Sequence, residues 1–437
     1  MSVKDTISKW EYFGIFKIMT LTPNQKRYPQ LVLLVLIVFF VISFITNILN
    51  SIIVAVKDSF ELSLSAAGFL PFSFFIAYAV MSIPAGFLTE RYSSKSLLTA
   101  SFVVIVVSCI VLVLNPSYNY FLGTLFVLGL SMAVLQVIIN PMLRLAGGEE
   151  HLAFNSVMAQ VVFGGASFLS PWLYLELIKD QSLTWINNIL PNWIPQELPW
   201  LSLYLFFALL ALLILGVIWI VPFPKVAASA NEQTAAISAY KELSANRWTY
   251  LFFLGIFAYV GFEQGVGNWM AEYLKTHHGY MAEQVGASTV SYFWAMLTVG
   301  SLLGLILLKL LDSKTVLLLS SSAAIVFLLM ALYGPASWAL VSFPAIGFAI
   351  SVMWSIIFSL GLNSLANHHG ALSGILCTGI AGGAIWPLIV GLAGDWFNLQ
   401  MGMTLLLIPL VYIWSIGIWA NPLIRNKTLR KTTQSKN

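Results

Sequence analysis

Glu263 is a carboxylic acid set in FFLGIFAYVGFEQGVGNWM, an apolar run that carries no other charge. A carboxyl group at bilayer depth is costly, and such groups characteristically face a polar cavity where they bind a cation, relay a proton or pair with a solute. Two plainer roles compete with that one: a protonated acid packed between helices, and a group close to the membrane interface. The residues that would share its chemistry are uncharged. TNILNS supplies Thr46, Asn47, Asn50 and Ser51, and the separations of three and four residues put Asn47, Asn50 and Ser51 on one helical face. Gln136 and Asn140 stand four apart and are followed by Pro141, then come Asn155 and Gln160, then Gln264, Asn268 and Trp269, and finally Asn363. A carboxamide offers donors and an acceptor without a fixed charge, which suits a neutral solute rich in hydroxyl groups. Tyr259, Trp269, Tyr292, Trp294, Trp354 and Trp386 add flat faces on which a ring can stack. Amides also bond membrane helices to one another and tryptophan fills cores, so each residue alone divides between glue and ligand. Their gathering on several spans favours a common wet chamber.

The elements that must position these groups are membrane helices. Hydrophobic residues make up 59% of the 437 and charged residues 9%, against about 25% charge in a soluble domain, so soluble classes are excluded. Twelve stretches reach the roughly 20 apolar residues a bilayer requires. They lie near 31–56, 66–88, 97–114, 118–143, 153–178 and 200–221, then near 249–271, 284–308, 315–333, 336–362, 370–394 and 400–421. Runs of this length are not the ten-residue alternations of a β-barrel. Alternating the loops between two sides puts 18 of the 21 Lys and Arg on the side of both termini, leaving Lys57, Lys179 and Lys275 on the other. The positive-inside rule then places both termini in the cytoplasm of a cell (inner) membrane. Trp185, Trp193 and Trp200 in the loop after the fifth span are expected in an interfacial aromatic belt. No basic run suggests nucleic acid, no histidine pair has the ligand set of a metal site, and Cys109 and Cys377 lie in apolar spans rather than in a disulfide framework. The only macroscopic partner expected is the lipid bilayer, with the chain a monomer.

The expected organisation is an N-terminal segment over 1–30, a six-helix bundle over 31–221, a polar linker over 222–248, a second bundle over 249–422 and a tail over 423–437. The halves echo each other. PAGFLTERYSSK places Gly86 five residues before Arg91, and GLILLKLLDSK places Gly304 five residues before Lys309. Gly164-Gly165 precedes Pro171 as Gly382-Gly383 precedes Pro387.

With these residues in view, the chain resembles the sugar branch of the major facilitator superfamily, the branch of fucose permease and the bacterial glucose/galactose transporter. LQVIINPM, PAGFLTERY, YVGFEQGVGNWM and the stretch from GFAISVMWSIIFSLGLNSL to LSGILCTGIAGGAIWPLIVG carry the resemblance, which runs from about 31 to 422. It implies an all-α membrane fold of twelve helices in two pseudo-symmetric six-helix bundles, and a central site exposed to one side and then the other. Gly86, Glu90, Arg91 and Lys95 match the superfamily's cytoplasmic gating loop. Gln160 matches a family glutamine of the fifth span and Glu263 a glutamate of the seventh. Where fucose permease carries an Asp in the first span and a Glu in the fourth, this chain has Ser51 and Gln136, neither of which titrates.

These readings together lead to a sugar importer, for a hexose or amino sugar, driven by a cation gradient. Asn47, Asn50, Gln136, Asn140, Gln160, Gln264, Asn268, Trp269, Trp386 and Asn363 are the expected sugar-binding residues, and Glu263 with Ser51 the ion-coupling ones. The cation is H⁺ if Glu263 takes up a proton, or Na⁺ near Glu263 and Ser51 if it stays ionised. No cofactor and no resident metal are expected. A uniporter, an exporter of small polar compounds and a non-transporting sugar sensor are the alternatives. An enzyme is not expected, because no catalytic constellation shares a face.

Overall fold

In hydrocarbon the backbone must satisfy its own hydrogen bonds, and this chain does so with helices. The computed structural model describes residues 28–147, 152–179, 194–195, 197–223, 242–364 and 369–422. The first six spans are Pro29–Ser59, Leu64–Arg91, Ser94–Leu114, Tyr118–Gly147, Leu152–Lys179 and Leu201–Ile220. Arg247–His278 is the seventh, Ala287–Leu310 the eighth and Ser313–Tyr333 the ninth. Eleven crossings among the described residues are long and apolar enough to span a membrane, and the fifth contributes the shorter apolar helix Val161–Tyr174 within its 28 residues. Side-chain caps set several starts: Ser63, Ser93, Asn246 and Asp312 each accept a hydrogen bond from a first-turn backbone N–H. The seventh helix ends at Gly279, whose φ of 70° is the left-handed C-cap that glycine adopts without strain.

The last three crossings are not the continuous helices that hydropathy predicts. The tenth is Ala336–Ile350 followed by Met353–Asn363, the eleventh is His369–Thr378, a tight turn at Gly379–Ala381 and Gly382–Trp396, and the twelfth is Leu399–Thr404 followed by Leu407–Trp419. At the first of these breaks, the Ser351 carbonyl accepts from Ser301 Oγ of the eighth span at 3.2 Å. A neighbouring helix thus satisfies backbone that the break sets free. Gly300 makes room for the kinked segment, since a Cβ there would overlap Ser351 and the Phe348 carbonyl.

The internal repeat survives in three dimensions. Lys95, at the start of span three, donates to the Trp219 carbonyl at the end of span six at 3.3 Å. Lys314, at the start of span nine, donates to the Ile418 carbonyl at the end of span twelve at 3.1 Å. The bundles meet along two equivalent seams. In one, Gly164 of span five lets Thr298 of span eight approach; in the other, Gly383 of span eleven lets Phe75 of span two approach. One glycine of each pair that echoes in the sequence, Gly164 and Gly383, therefore sits where the halves touch, as small residues do when membrane helices pack by van der Waals contact.

Two readings are corrected here. Trp200 is not part of an interfacial belt: it is 1% exposed, its ring lies tilted against Phe121 with centroids 5.1 Å apart, and it donates from its indole to Ser59 Oγ. Trp185 and Trp193 lie outside the described residues, as do the N-terminal segment, most of the linker and the tail. The seventh span does not stop at 271 but runs on to His278, which brings Glu272 and Lys275 into the helix.

The packing gives a direct test. A methyl group at Gly382 would meet the Phe257 carbonyl of span seven, whereas nothing stands within 4 Å of Gly86. Overpacking costs roughly 1–3 kcal/mol, so Gly382→Ala lowers the thermal unfolding temperature in detergent while Gly86→Ala leaves it unchanged or slightly raised.

Candidate functional site

Between the bundles lies a cavity of about 250 Å³. That is just under the roughly 300–1,000 Å³ typical of pockets for drug-sized ligands, so it suits a small solute. Its wall comes from both halves. Asn47, Tyr78 and Gln136 line it from the first, and Tyr259, Glu263, Gln264, Thr298 and Trp354 from the second. The eighth span lines it as far as Leu308, close to the helix end on the face where residues 28 and 422 lie. No residue beyond Asn47 on span one or beyond Gln264 on span seven appears in the wall. The cavity therefore extends toward the terminal face and is closed toward the opposite one. The break in span ten contributes Ser351, Val352, Trp354 and Ser355 to the lining, as expected of membrane proteins, in which irregular backbone is confined to such places.

Among the described residues Glu263 is the only carboxylate in the lining. Tyr259, one helical turn earlier on the same face, donates its hydroxyl to Glu263 Oε1 at 2.7 Å. The Tyr259 ring packs 6.0 Å from Trp354, which stacks in turn on Phe358, so an aromatic column fixes the hydroxyl that orients the acid. Asn47 is held from the other side: its amide donates to Ser167 Oγ of span five at 2.9 Å, and Ser43 bonds both Ser167 and the Phe163 carbonyl. The Asn47 N–H is thus committed to joining spans one and five. Across the bundle boundary, Asn50 donates to Gln264 Oε1 at 3.2 Å.

The structure divides the expected site residues. Asn47, Gln136, Glu263 and Gln264 are brought together at the cavity. Asn50 and Asn268 are buried between spans one and seven and Ser51 is buried beside them in sequence, all outside the lining, and Asn268 donates back to the Gln264 carbonyl at 2.7 Å. Trp269 is fully buried and its indole donates to the Pro387 carbonyl at 2.8 Å, tying span seven to span eleven. Trp386 fills the space left by Gly261 and is absent from the lining. Asn363 reaches only Ser359, one turn back on its own helix. Asn140, Gln160 and Glu90 stand on described helices, but their side chains lie outside the described residues. In the expected gating segment, Arg91 is exposed and Lys95 reaches span six of its own bundle and the Phe223 ring. Thr298, Ser301, Ser351 and Ser355 belong to the wall without having been singled out in the sequence, where hydroxyl residues in apolar helices are too common to mark a site. Among the described residues no three His, Cys, Asp or Glu side chains gather as a metal set. The oxygens available to a cation at the cavity are those of Glu263 and its amide and hydroxyl neighbours.

Two pseudo-symmetric helix bundles around a cavity open to one face form the architecture of a membrane transporter. Comparison with known proteins agrees. Residues 35–377 match the family model of the Major Facilitator Superfamily. A glucose/galactose transporter of Brucella abortus biovar 1 (strain 9-941) is 32% identical over 406 residues, covering 91% of this chain and 96% of that protein. A putative glucose/galactose transporter of Helicobacter pylori (strain ATCC 700392 / 26695) is 28% identical over 365 residues, covering 82% and 87%. The crystal structure of the E. coli fucose:proton symporter superposes with a TM-score of 0.65 at 20% identity, covering 91% of this chain and all of that one. The chain belongs to the Major Facilitator Superfamily, and is a transporter rather than an enzyme.

The contact of Trp269 yields a prediction. Trp269→Phe keeps the ring but loses the bond to Pro387, a loss of about 1 kcal/mol. Thermal unfolding shifts down by a few degrees, while solute affinity measured by isothermal titration is unchanged.

Proposed function

We propose that this protein imports a sugar, a hexose or an amino sugar, by cation-coupled symport with alternating access, from a cell inner membrane in which both termini are cytoplasmic. One observation carries the reading: a single carboxylate, oriented by Tyr259, stands in a small cavity whose other polar walls are amides and hydroxyls. Neutral donors and acceptors discriminate among hydroxyl groups by hydrogen bonding. Trp354 and Tyr259 supply flat apolar faces beside them. A fixed anion among them needs a countercharge when the site closes, and a coupling cation provides one. The names of the curated relatives, glucose/galactose transporters, support the sugar assignment, and the excess of Lys and Arg on the terminal face supports the orientation.

In this reading Glu263 binds the cation, H⁺ or Na⁺. Asn47, Gln136 and Gln264 contact the sugar, joined by Asn140 and Gln160 from spans four and five. With the cavity open toward the terminal face, the conformation is the one that releases cargo to the cytoplasm. Reloading requires spans one and seven to part on the other side.

Glu263→Gln removes the negative charge but keeps the shape. It abolishes accumulation of labelled sugar against a gradient in proteoliposomes, while sugar exchange at equal concentrations continues; full accumulation by this variant would assign coupling to another residue. Imposing a pH gradient or a sodium gradient alone on wild-type proteoliposomes identifies the cation, and equal uptake with neither leaves facilitated diffusion. Asn47→Ala weakens sugar binding on the order of tenfold, about 1.4 kcal/mol, as read by titration calorimetry.

A further inference from the structure

The closed side of the molecule is held by charges that the transport site does not use. Glu272 of span seven is 1% exposed, and its Oε1 lies 3.2 Å from the Lys57 ammonium at the end of span one. Beside this pair, Asp58 of span one is bridged to Lys275 of span seven at the surface. A third link joins the bundles on the same face, where Asp395 of span eleven accepts the backbone N–H groups of Leu64 and Ser65 at the start of span two, at 2.8 and 2.7 Å.

Beneath the Lys57–Glu272 pair runs a column of polar groups. Gln264, Asn268 and Glu272 recur every four residues, so they form one stripe along span seven, and all three are buried. Asn50 and Lys57 of span one face it. Three buried oxygens in this seam have no hydrogen-bond partner among the described residues: Asn50 Oδ1, Asn268 Oδ1 and Glu272 Oε2. Polar groups gathered at this density in a seam between membrane helices suit a surface that meets water in another arrangement. When the bundles part, water reaches the same atoms.

We propose that the span one–span seven seam is the shut outer half of the transport path, and that the buried Lys57–Glu272 ion pair is the latch that keeps it shut. The inference rests on the transporter reading and on the opposite face being external, but not on the identity of the cargo. Glu272, at 2% side-chain exposure, loses its cation in Lys57→Met and regains hydration only if spans one and seven separate, which shifts the protein toward the outward-open form. Lys57, at 17% exposure and 3.4 Å from Asp58, keeps a partner in Glu272→Gln, so that variant shifts it less. The exposed Asp58–Lys275 bridge has water as an alternative and contributes little.

Labelling of a buried reporter tests this without any solute. Asn268→Cys, in the full chain with Cys109 and Cys377 replaced by alanine, is exposed in intact cells to a membrane-impermeant maleimide. Lys57→Met raises the labelling rate at least about tenfold and Glu272→Gln by less, and the swap Lys57→Glu with Glu272→Lys returns it to near the starting rate. Asp58→Asn changes it less than about twofold. The swap also controls for folding, since a chain disrupted by the single variants would not regain protection when the pair is rebuilt in reverse. Unchanged labelling in both single variants, failure of the swap to restore protection, an equal rise with Asp58→Asn, or a rise seen only from the cytoplasmic face in inverted vesicles would overturn the proposal. Because no sugar enters the assay, failure of the sugar assignment leaves its result intact.

Discussion

A polar group in hydrocarbon has no water to fall back on, and this constraint governs the whole molecule. It forces the chain into helices and dictates where they are allowed to break. The interruption of span ten borders the central cavity, and Ser301 takes up one of the carbonyls it releases. It governs the side chains as well. Ser43, Asn47 and Ser167 bond one another between spans one and five, Trp269 finds the Pro387 carbonyl, and Glu272 finds Lys57. Each of these contacts joins two helices, because a partner within reach is usually on the neighbour. Polar chemistry therefore serves two ends here. Inside a bundle it fastens helices permanently; between bundles it forms contacts that one arrangement makes and another must break.

Glycine placement separates the two kinds of joint. Where bundles meet, Gly164 and Gly383 admit a side chain from the other half, and the contact is largely one of shape. Away from Asp395 at the rim of the span two–eleven seam and Ser291, which donates to the Phe168 carbonyl across the span five–eight seam, such surfaces can slide or rock with little electrostatic cost. The seam between spans one and seven is different, since amides and charges cross it. The protein thus combines smooth bearings on two sides of the cavity with a polar closure on the third. The central carboxylate lies at the base of that closure, one residue away from Gln264, which accepts from Asn50 across the boundary.

Much of this was legible in the sequence. Hydropathy with the alternation of Lys and Arg gave the crossings, and the repeated Gly-Gly pairs marked surfaces that the structure puts in equivalent seams. Glu263 stood out because it is isolated, and it does line the cavity, together with Asn47, Gln136 and Gln264. The division of the other amides was not legible. Asn47 and Asn50 share a helical face by spacing, yet one lines the cavity and the other is sealed behind it, because where a face stops being wet depends on how far the bundles are parted. Glu272 stands just past the end of the apolar run, and only the continuation of the helix to His278 buries it. The breaks in spans ten and eleven leave no hydropathy signal, and Gly300 and Gly379 pack closely against their neighbours there. Trp200 shows the reverse error: amphipathic residues near a membrane edge suggest a belt, but a packed cluster of Phe60, Phe121 and Tyr204 claims this one.

The depth of the Lys57–Glu272 contact has a consequence for the habitat in which such a protein works. Counterions screen charges at a surface within a Debye length of about 8 Å at physiological ionic strength, but reach buried pairs far less. With side-chain exposures of 17% and 2%, this pair is largely out of their reach, whereas Asp58 and Lys275 beside it, at 49% and 36%, are not. Swings in the salinity of the surroundings therefore act on the rim and leave the deeper contact nearly constant.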